Sequence, residues 1–167
     1  MTRVSLRLRA ATDADEPLLF EVYAASRAAE MAQTSWTPEQ QFAFVAMQHR
    51  AQAAAYRERH PDGRFLVVER DGTGIGRLYL ARLDGGELRV LDIALLPAWC
   101  GKGIGSALLR AVFAFADAEH SMVSLHVEAW NPAMRLYARL GFVEAARNDV
   151  HVRMERAAAV AATGPIS

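Results

Sequence analysis

With 167 residues, 52 % of them hydrophobic, the chain is long enough to bury the core of one domain and short for two. Its 19 basic and 19 acidic residues cancel and no basic run appears, which excludes the electrostatic footprint of a nucleic-acid or membrane-surface binder. A lone cysteine rules out an internal disulfide, the N-terminal MTRVSLRLRA has no apolar signal core, and no run approaches the roughly 20 apolar residues of a membrane span, so a cytoplasmic protein with small-molecule or protein partners is expected.

Residues 4–9 alternate Val4, Leu6 and Leu8 with Ser5, Arg7 and Arg9, the period of a half-exposed strand. Residues 12–16 supply a cap, Thr12 or Asp13, and an acidic first turn; Leu19, Val22, Tyr23 and Ser26 then form the stripe of a first helix ending near Glu30. Thr37-Pro38-Glu39-Gln40 is a capping box with proline in the first turn. It opens a longer helix through Phe42, Val45, Ala46, His49 and Tyr56, which stops at His60-Pro61-Asp62-Gly63. Strands follow at 65–69, 75–83 and 87–96, separated by the hairpin turns 71–74 and 84–86. Gly72, Gly74 and Gly76 have the density of a phosphate loop, but no helix follows them, so the turn reading is preferred.

A helix then starts at Ile104 with Ala107, Leu108, Ala111, Val112 and Phe115 on its expected buried face. Residues 123–127 read as a strand, and Asn131-Pro132 caps a short helix carrying Ala133, Leu136, Tyr137 and Leu140 on one side, ended by Gly141. Residues 142–145 and 150–154 make a last hairpin, and 157–167 is expected to be a frayed tail after a single domain over 1–156. This order predicts an α+β layered fold: a mixed, mostly antiparallel sheet of about seven strands flanked by four helices.

The stretch 91–109, LDIALLPAWCGKGIGSALL, joins a buried strand to a helix through Gly101, Gly103 and Gly105, with Lys102, the only lysine of the chain, between the first two. A helix start leaves N–H groups unpaired and carries about half a positive charge, so a glycine-rich turn there suits phosphate or pyrophosphate. The P-loop spacing fails, because Lys102 precedes Gly103 and Ile104 follows it. The dinucleotide fingerprint also fits poorly, since the run is G-x-G-x-G with Ser106 in the last glycine's place.

The run resembles the acetyl-CoA loop of the GCN5-related N-acetyltransferases, Gln/Arg-x-x-Gly-x-Gly/Ala after a strand that ends near proline, with Cys100 where the family has Gln or Arg. A second stretch, HVEAWNPAMRLYARLGFVE over 126–144, is similar to the family's strand, Asn-to-Tyr helix and Gly-Phe exit. The resemblance covers nearly the whole chain and implies the acyl-CoA N-acyltransferase fold. It implies acetyl-CoA as acetyl donor, a primary amine of a small molecule or peptide as acceptor, and direct attack in a ternary complex by a monomer or homodimer.

It further implies that Cys100, Gly101, Lys102, Gly103, Ile104, Gly105 and Ser106 hold the pyrophosphate. Backbone groups of Ile93, Ala94 and Leu95 would meet the pantetheine and acetyl carbonyl, and Asn131 the pantetheine arm. Periodicity alone leaves Tyr137 as a core residue beside Leu136 and Leu140, whereas the resemblance makes it the general acid. A phenol of pKa about 10 donates to a thiolate whose acid has a pKa of about 8.5 with little mismatch. Asp92, an acid in an apolar strand, is the candidate base or water relay if burial raises its pKa, and a structural group if bonded to neighbouring backbone; Glu87 and Glu128 are further candidates. His49, His60, His120, His126 and His151 have no metal-site spacing, and no metal is expected. Cys100 and the uncertain base leave one alternative on the same fold, a non-catalytic acyl-CoA-binding or regulatory protein.

Overall fold

The structure, a computed structural model, describes residues 5–160; Val4 of the expected first strand and residues 161–167 of the expected tail lie outside the described residues. Among the described residues, seven strands and four α-helices follow in the order β1 (Leu6–Ala10), α1 (Glu16–Met31), α2 (Pro38–Arg59), β2 (Arg64–Arg70), β3 (Thr73–Leu83), β4 (Glu87–Leu95), α3 (Ile104–Ala118), β5 (Met122–Glu128), α4 (Ala133–Arg139), β6 (Val143–Arg147) and β7 (His151–Arg156). The strands form one mixed sheet in the order β1-β2-β3-β4-β5-β7-β6. Pairs β1–β2, β2–β3, β5–β7 and β6–β7 are antiparallel, and β4–β5 is parallel. This is the α+β architecture expected from the order of elements.

The chain divides into two compact units, one of residues to Ala81 with Asp92–Gly105, the other of Arg82–Leu91 with the residues from Ser106 on. In the first unit, α1 and α2 pack together around Tyr23, Met31 and Val45, with Phe20, Ala24 and Phe44 against them. The α2 start is the expected capping box: the Gln40 N–H donates to Thr37 Oγ1 at 3.2 Å and the Thr37 N–H to Gln40 Oε1 at 2.9 Å. Before α1, Asp13–Asp15 forms a 3-10 turn, and the buried Asp15 takes two hydrogen bonds from the Arg9 guanidinium at 2.7 and 2.8 Å. Those bonds, chiefly, with the Thr12 N–H, hold the Asp15 carboxyl well below the usual carboxylate range against the opposing effect of burial.

The β2–β3 hairpin turns on Asp71 and Gly72, both at positive φ (50° and 84°), between the paired residues Arg70 and Thr73, a two-residue primed turn. Gly74 and Gly76 belong to the strand, not to the turn. The register passes from Val68↔Gly76 to Glu69↔Gly74, so Ile75 is the additional residue of a β-bulge.

In the second unit, Val123, Leu125, Val127, Val152 and Met154 are buried on β5 and β7, as are Leu109, Val112, Phe113 and Ala116 on α3. The expected α3 face is partly wrong. Ala107, Ala111 and Phe115 are exposed, and Leu109, Phe113 and Ala116 are buried in their place. This helix is apolar on nearly every side, and alanine and phenylalanine positions carry no sign of which side faces inward. Arg156 closes the unit by bonding Asp117 at 2.9 and 3.2 Å while lying 4.2 Å from the centre of the Phe113 ring, and the Ala159 N–H bonds the same carboxylate at 2.9 Å.

Candidate active site

In the first unit, β4 passes through a 3-10 turn, Pro97–Trp99, into the glycine loop, and Arg70 stacks on Trp99 at 4.9 Å. The Cys100 Sγ lies 3.7 and 3.6 Å from the carbonyl oxygens of Leu95 and Leu96, and the residue is exposed. Gly101 and Gly103 stand at φ 71° and 79°, the left-handed region that a side chain disfavours, so two of the three glycines are required by the path of the backbone. Gly105 has no such need, and a Cβ there would find no atom within 4 Å. The open direction at Gly105 lies at a helix start, where N–H groups lack intrahelical acceptors.

Asp92 lies upstream on β4, and its carboxylate accepts a short hydrogen bond from the guanidinium of Arg77 on β3. Arg77 is buried, also donates to Gln52 Oε1 of α2 at 3.0 Å, and lies over the rings of Tyr79 at 5.0 Å and Tyr23 at 5.6 Å. Its Nε is buried without a partner. Tyr56 packs edge-on to Tyr79 with ring centres 6.0 Å apart. Burial pushes the Tyr56 phenol up to about 12, the Asp92 charge adding to it, and burial likewise raises Tyr79. Asp92 is therefore the counter-ion of a buried arginine. The sequence reading missed Arg77, Gln52, Tyr56 and Tyr79 as a group. The one available signal was Arg77 inside the apolar strand IGRLYL, since a buried arginine needs a carboxylate.

His49, also on α2, is buried, and its Nε2 meets Glu16 Oε1 at 2.6 Å. A carboxylate only accepts, so Nε2 carries the proton.

The second unit holds the remaining expected residues. The parallel register pairs Glu87–Val90 with Met122–Leu125, and β4 runs on to Leu95. Glu87 is held by Ser124 and by Arg89 and Arg153, the arginines at 2.9 Å each. Burial pushes its carboxyl up, but these three hydrogen bonds outweigh it and hold the group below its usual range, which makes Glu87 a poor base. Burial, with Arg89 and Arg153 nearby, lowers His126.

Asn131 Oδ1 accepts from the Ala133 N–H at 2.9 Å, the expected capping role, leaving its amide NH₂ to donate elsewhere. Tyr137 is half-buried on α4, its ring edge-on to Phe142 at 5.8 Å. Gly141, at φ 101°, lets the Phe142 N–H return to the Tyr137 carbonyl at 3.0 Å, the expected glycine exit.

Known proteins resemble this chain in sequence and in fold. A mycothiol acetyltransferase of Clavibacter sepedonicus is 38 % identical over 95 residues, 55 % of this chain and 30 % of that protein. A GCN5-like protein acetyltransferase of Mycobacterium tuberculosis is 33 % identical over 84 residues, 49 % of this chain and 41 % of that protein. The chain thus spans less than half the length of either relative.

Among solved structures, the PaiA N-acetyltransferase of Thermoplasma acidophilum in complex with coenzyme A superposes with a TM-score of 0.71 at 21 % identity, over 92 % of this chain and 99 % of that one. The ribosomal-protein-S18-alanine N-acetyltransferase of Escherichia coli gives 0.66 at 18 % identity, over 98 % and 100 %. These likenesses show the acyl-CoA N-acyltransferase fold. The model of the acetyltransferase (GNAT) family matches residues 26–142, and the chain belongs to that family.

Proposed function

We propose that this protein transfers an acetyl group from acetyl-CoA to a primary amine by direct attack. The observation that carries the reading is the turn from β4 into α3: two left-handed glycines, then a third whose Cβ direction is empty over a helix start. In this reading residues 100–106 receive the pyrophosphate through backbone N–H groups. The backbone of Ile93, Ala94 and Leu95 receives the pantetheine and polarises the thioester carbonyl, and the Asn131 amide donates to the pantetheine arm.

The amine attacks the carbonyl carbon, the C–S bond breaks, and the Tyr137 phenol protonates the departing thiolate. Asp92 serves as counter-ion to Arg77, and the proton lost by the amine passes to water. Cys100 brings no long polar side chain to the phosphates, so backbone donors carry the affinity.

Thermal unfolding with and without acetyl-CoA is the first test. A ligand at 100 times its Kd adds about 2.7 kcal/mol, a shift of several degrees for a chain of this size. No shift at millimolar acetyl-CoA overturns the reading. Given a shift, an amine panel follows. Relatives named for mycothiol acetylation and for protein acetylation put both kinds of acceptor in it. Tyr137→Phe is expected to lose kcat by a factor of roughly 10²–10⁴ while keeping acetyl-CoA affinity. Cofactor binding without turnover on any amine would identify a non-catalytic acyl-CoA binder.

A further inference from the structure

Gly74 and Gly76 are not explained by the hairpin turn or by cofactor binding. A Cβ on Gly76 would stand 2.4 Å from the Ala94 carbonyl oxygen, 2.7 Å from Leu95 Cδ2 and 3.1 Å from Leu95 Cα. Two of these three atoms are backbone, and no real Cβ approaches so closely. The end of β4 therefore lies over the bare Cα of Gly76.

The neighbouring residue completes the seat. Ile75 is the bulged residue of β3, skipped in the register with β2, and its carbonyl accepts the Leu96 N–H at 2.8 Å. A bulge turns a carbonyl out of its own ladder, and the adjacent glycine removes the side chain that would block the approach. Gly74 meets a different atom: its Cβ would stand 2.4 Å from Leu18 Cδ2, the end of a flexible side chain on α1.

We propose that the Ile75–Gly76 bulge is the seat that fixes the Ala94 peptide against the thioester, which makes Gly76 a positioning residue for acyl transfer. This rests on the acetyl-CoA reading, because that reading gives the Ile93, Ala94 and Leu95 backbone its role. A methyl at position 76 must push the Ala94 carbonyl away, tilting the peptide planes that meet the pantetheine and acetyl group. The phosphate loop, which begins beyond the 3-10 turn, keeps its own geometry.

The test is a split in affinity. Dissociation constants for acetyl-CoA and for its 3′-phospho-ADP fragment are measured by competition calorimetry on the wild type, Gly76→Ala and Gly74→Ala. Gly76→Ala is expected to weaken acetyl-CoA at least tenfold and the fragment less than twofold. Gly74→Ala is expected to lower the unfolding midpoint and leave both constants unchanged. Equal weakening of both ligands by Gly76→Ala, or none, overturns the proposal. Failure of the wild type to bind acetyl-CoA overturns the functional reading instead.

If Gly76→Ala does not fold, amide hydrogen exchange on the wild type decides. Acetyl-CoA is expected to slow the Leu96 N–H at least tenfold together with the loop amides. Slowing at the loop with Leu96 unchanged overturns the seat.

Discussion

Two glycine clusters in the first unit, 72–76 and 101–105, are nearly alike as sequence, yet Gly74 and Gly76 of the first are opposite in structure to the second. In the hairpin strand, Gly74 and Gly76 are filled by their own protein, with Leu18 and the Ala94 peptide at 2.4 Å from where a Cβ would be. In the loop, none of Gly101, Gly103 and Gly105 has an atom within 4 Å of that point. A glycine pressed by its own chain answers to packing, whereas a glycine facing open space with unstrained φ answers to something the protein itself does not supply.

The comparison is sharpened most by Gly105→Leu. A Cβ there meets no atom within 4 Å, so the unfolding midpoint is expected to hold or rise slightly, while acetyl-CoA affinity falls roughly hundredfold, about 3 kcal/mol. Calorimetry beside a melting curve reads both, and an unchanged affinity would break the distinction between the clusters.

An acid titration comes next, because the loop 100–106 contains no carboxylate while the packed unit leans on Asp15. A carboxyl held low in the folded state stabilises fully above its unfolded value of about 4 and loses that contribution as pH falls below it. Asp15→Asn is expected to cost about 1–3 kcal/mol at neutral pH and to flatten the acid limb of a stability–pH curve; an acid limb as steep as the wild type's would show that another carboxylate carries it. Gly74→Ala is expected to cost about 1–2 kcal/mol by denaturant unfolding, since Leu18 must move aside. The smallest effect belongs to Gly101→Ala, about 1 kcal/mol of left-handed backbone strain with no steric clash, visible as a midpoint shift of a few degrees.

What the sequence made legible was local chemistry. The capping box at Thr37, the Asp71-Gly72 turn, the Asn131 cap and the Gly141 exit each depend on residues within five positions of one another. The loop from strand to helix was readable for the same reason. The α3 face was not, because Ala107, Ala111 and Phe115 satisfy an apolar stripe as well as Leu109, Phe113 and Ala116 do. Asp92 stands out in its apolar strand as a candidate base, but its partner lies 15 residues away on another strand, and nothing local to LDIAL announces Arg77. The glycines at 74 and 76 read as a turn in the sequence because composition cannot tell a bend from a close approach.

The α4 helix has only seven residues, about two turns, too few to be stable by its own hydrogen bonds. Its shape is borrowed from its ends, the Asn131 cap and the Gly141 exit, and from the Phe142 ring against Tyr137. One consequence concerns redesign. Adding or deleting a single residue between the cap and Tyr137 would swing the phenol by about 100° around the helix axis, so the proton donor in the proposed reaction is aimed by loop length. Swapping this segment between relatives should preserve the count from Asn131 to Tyr137 before it preserves any side chain in between.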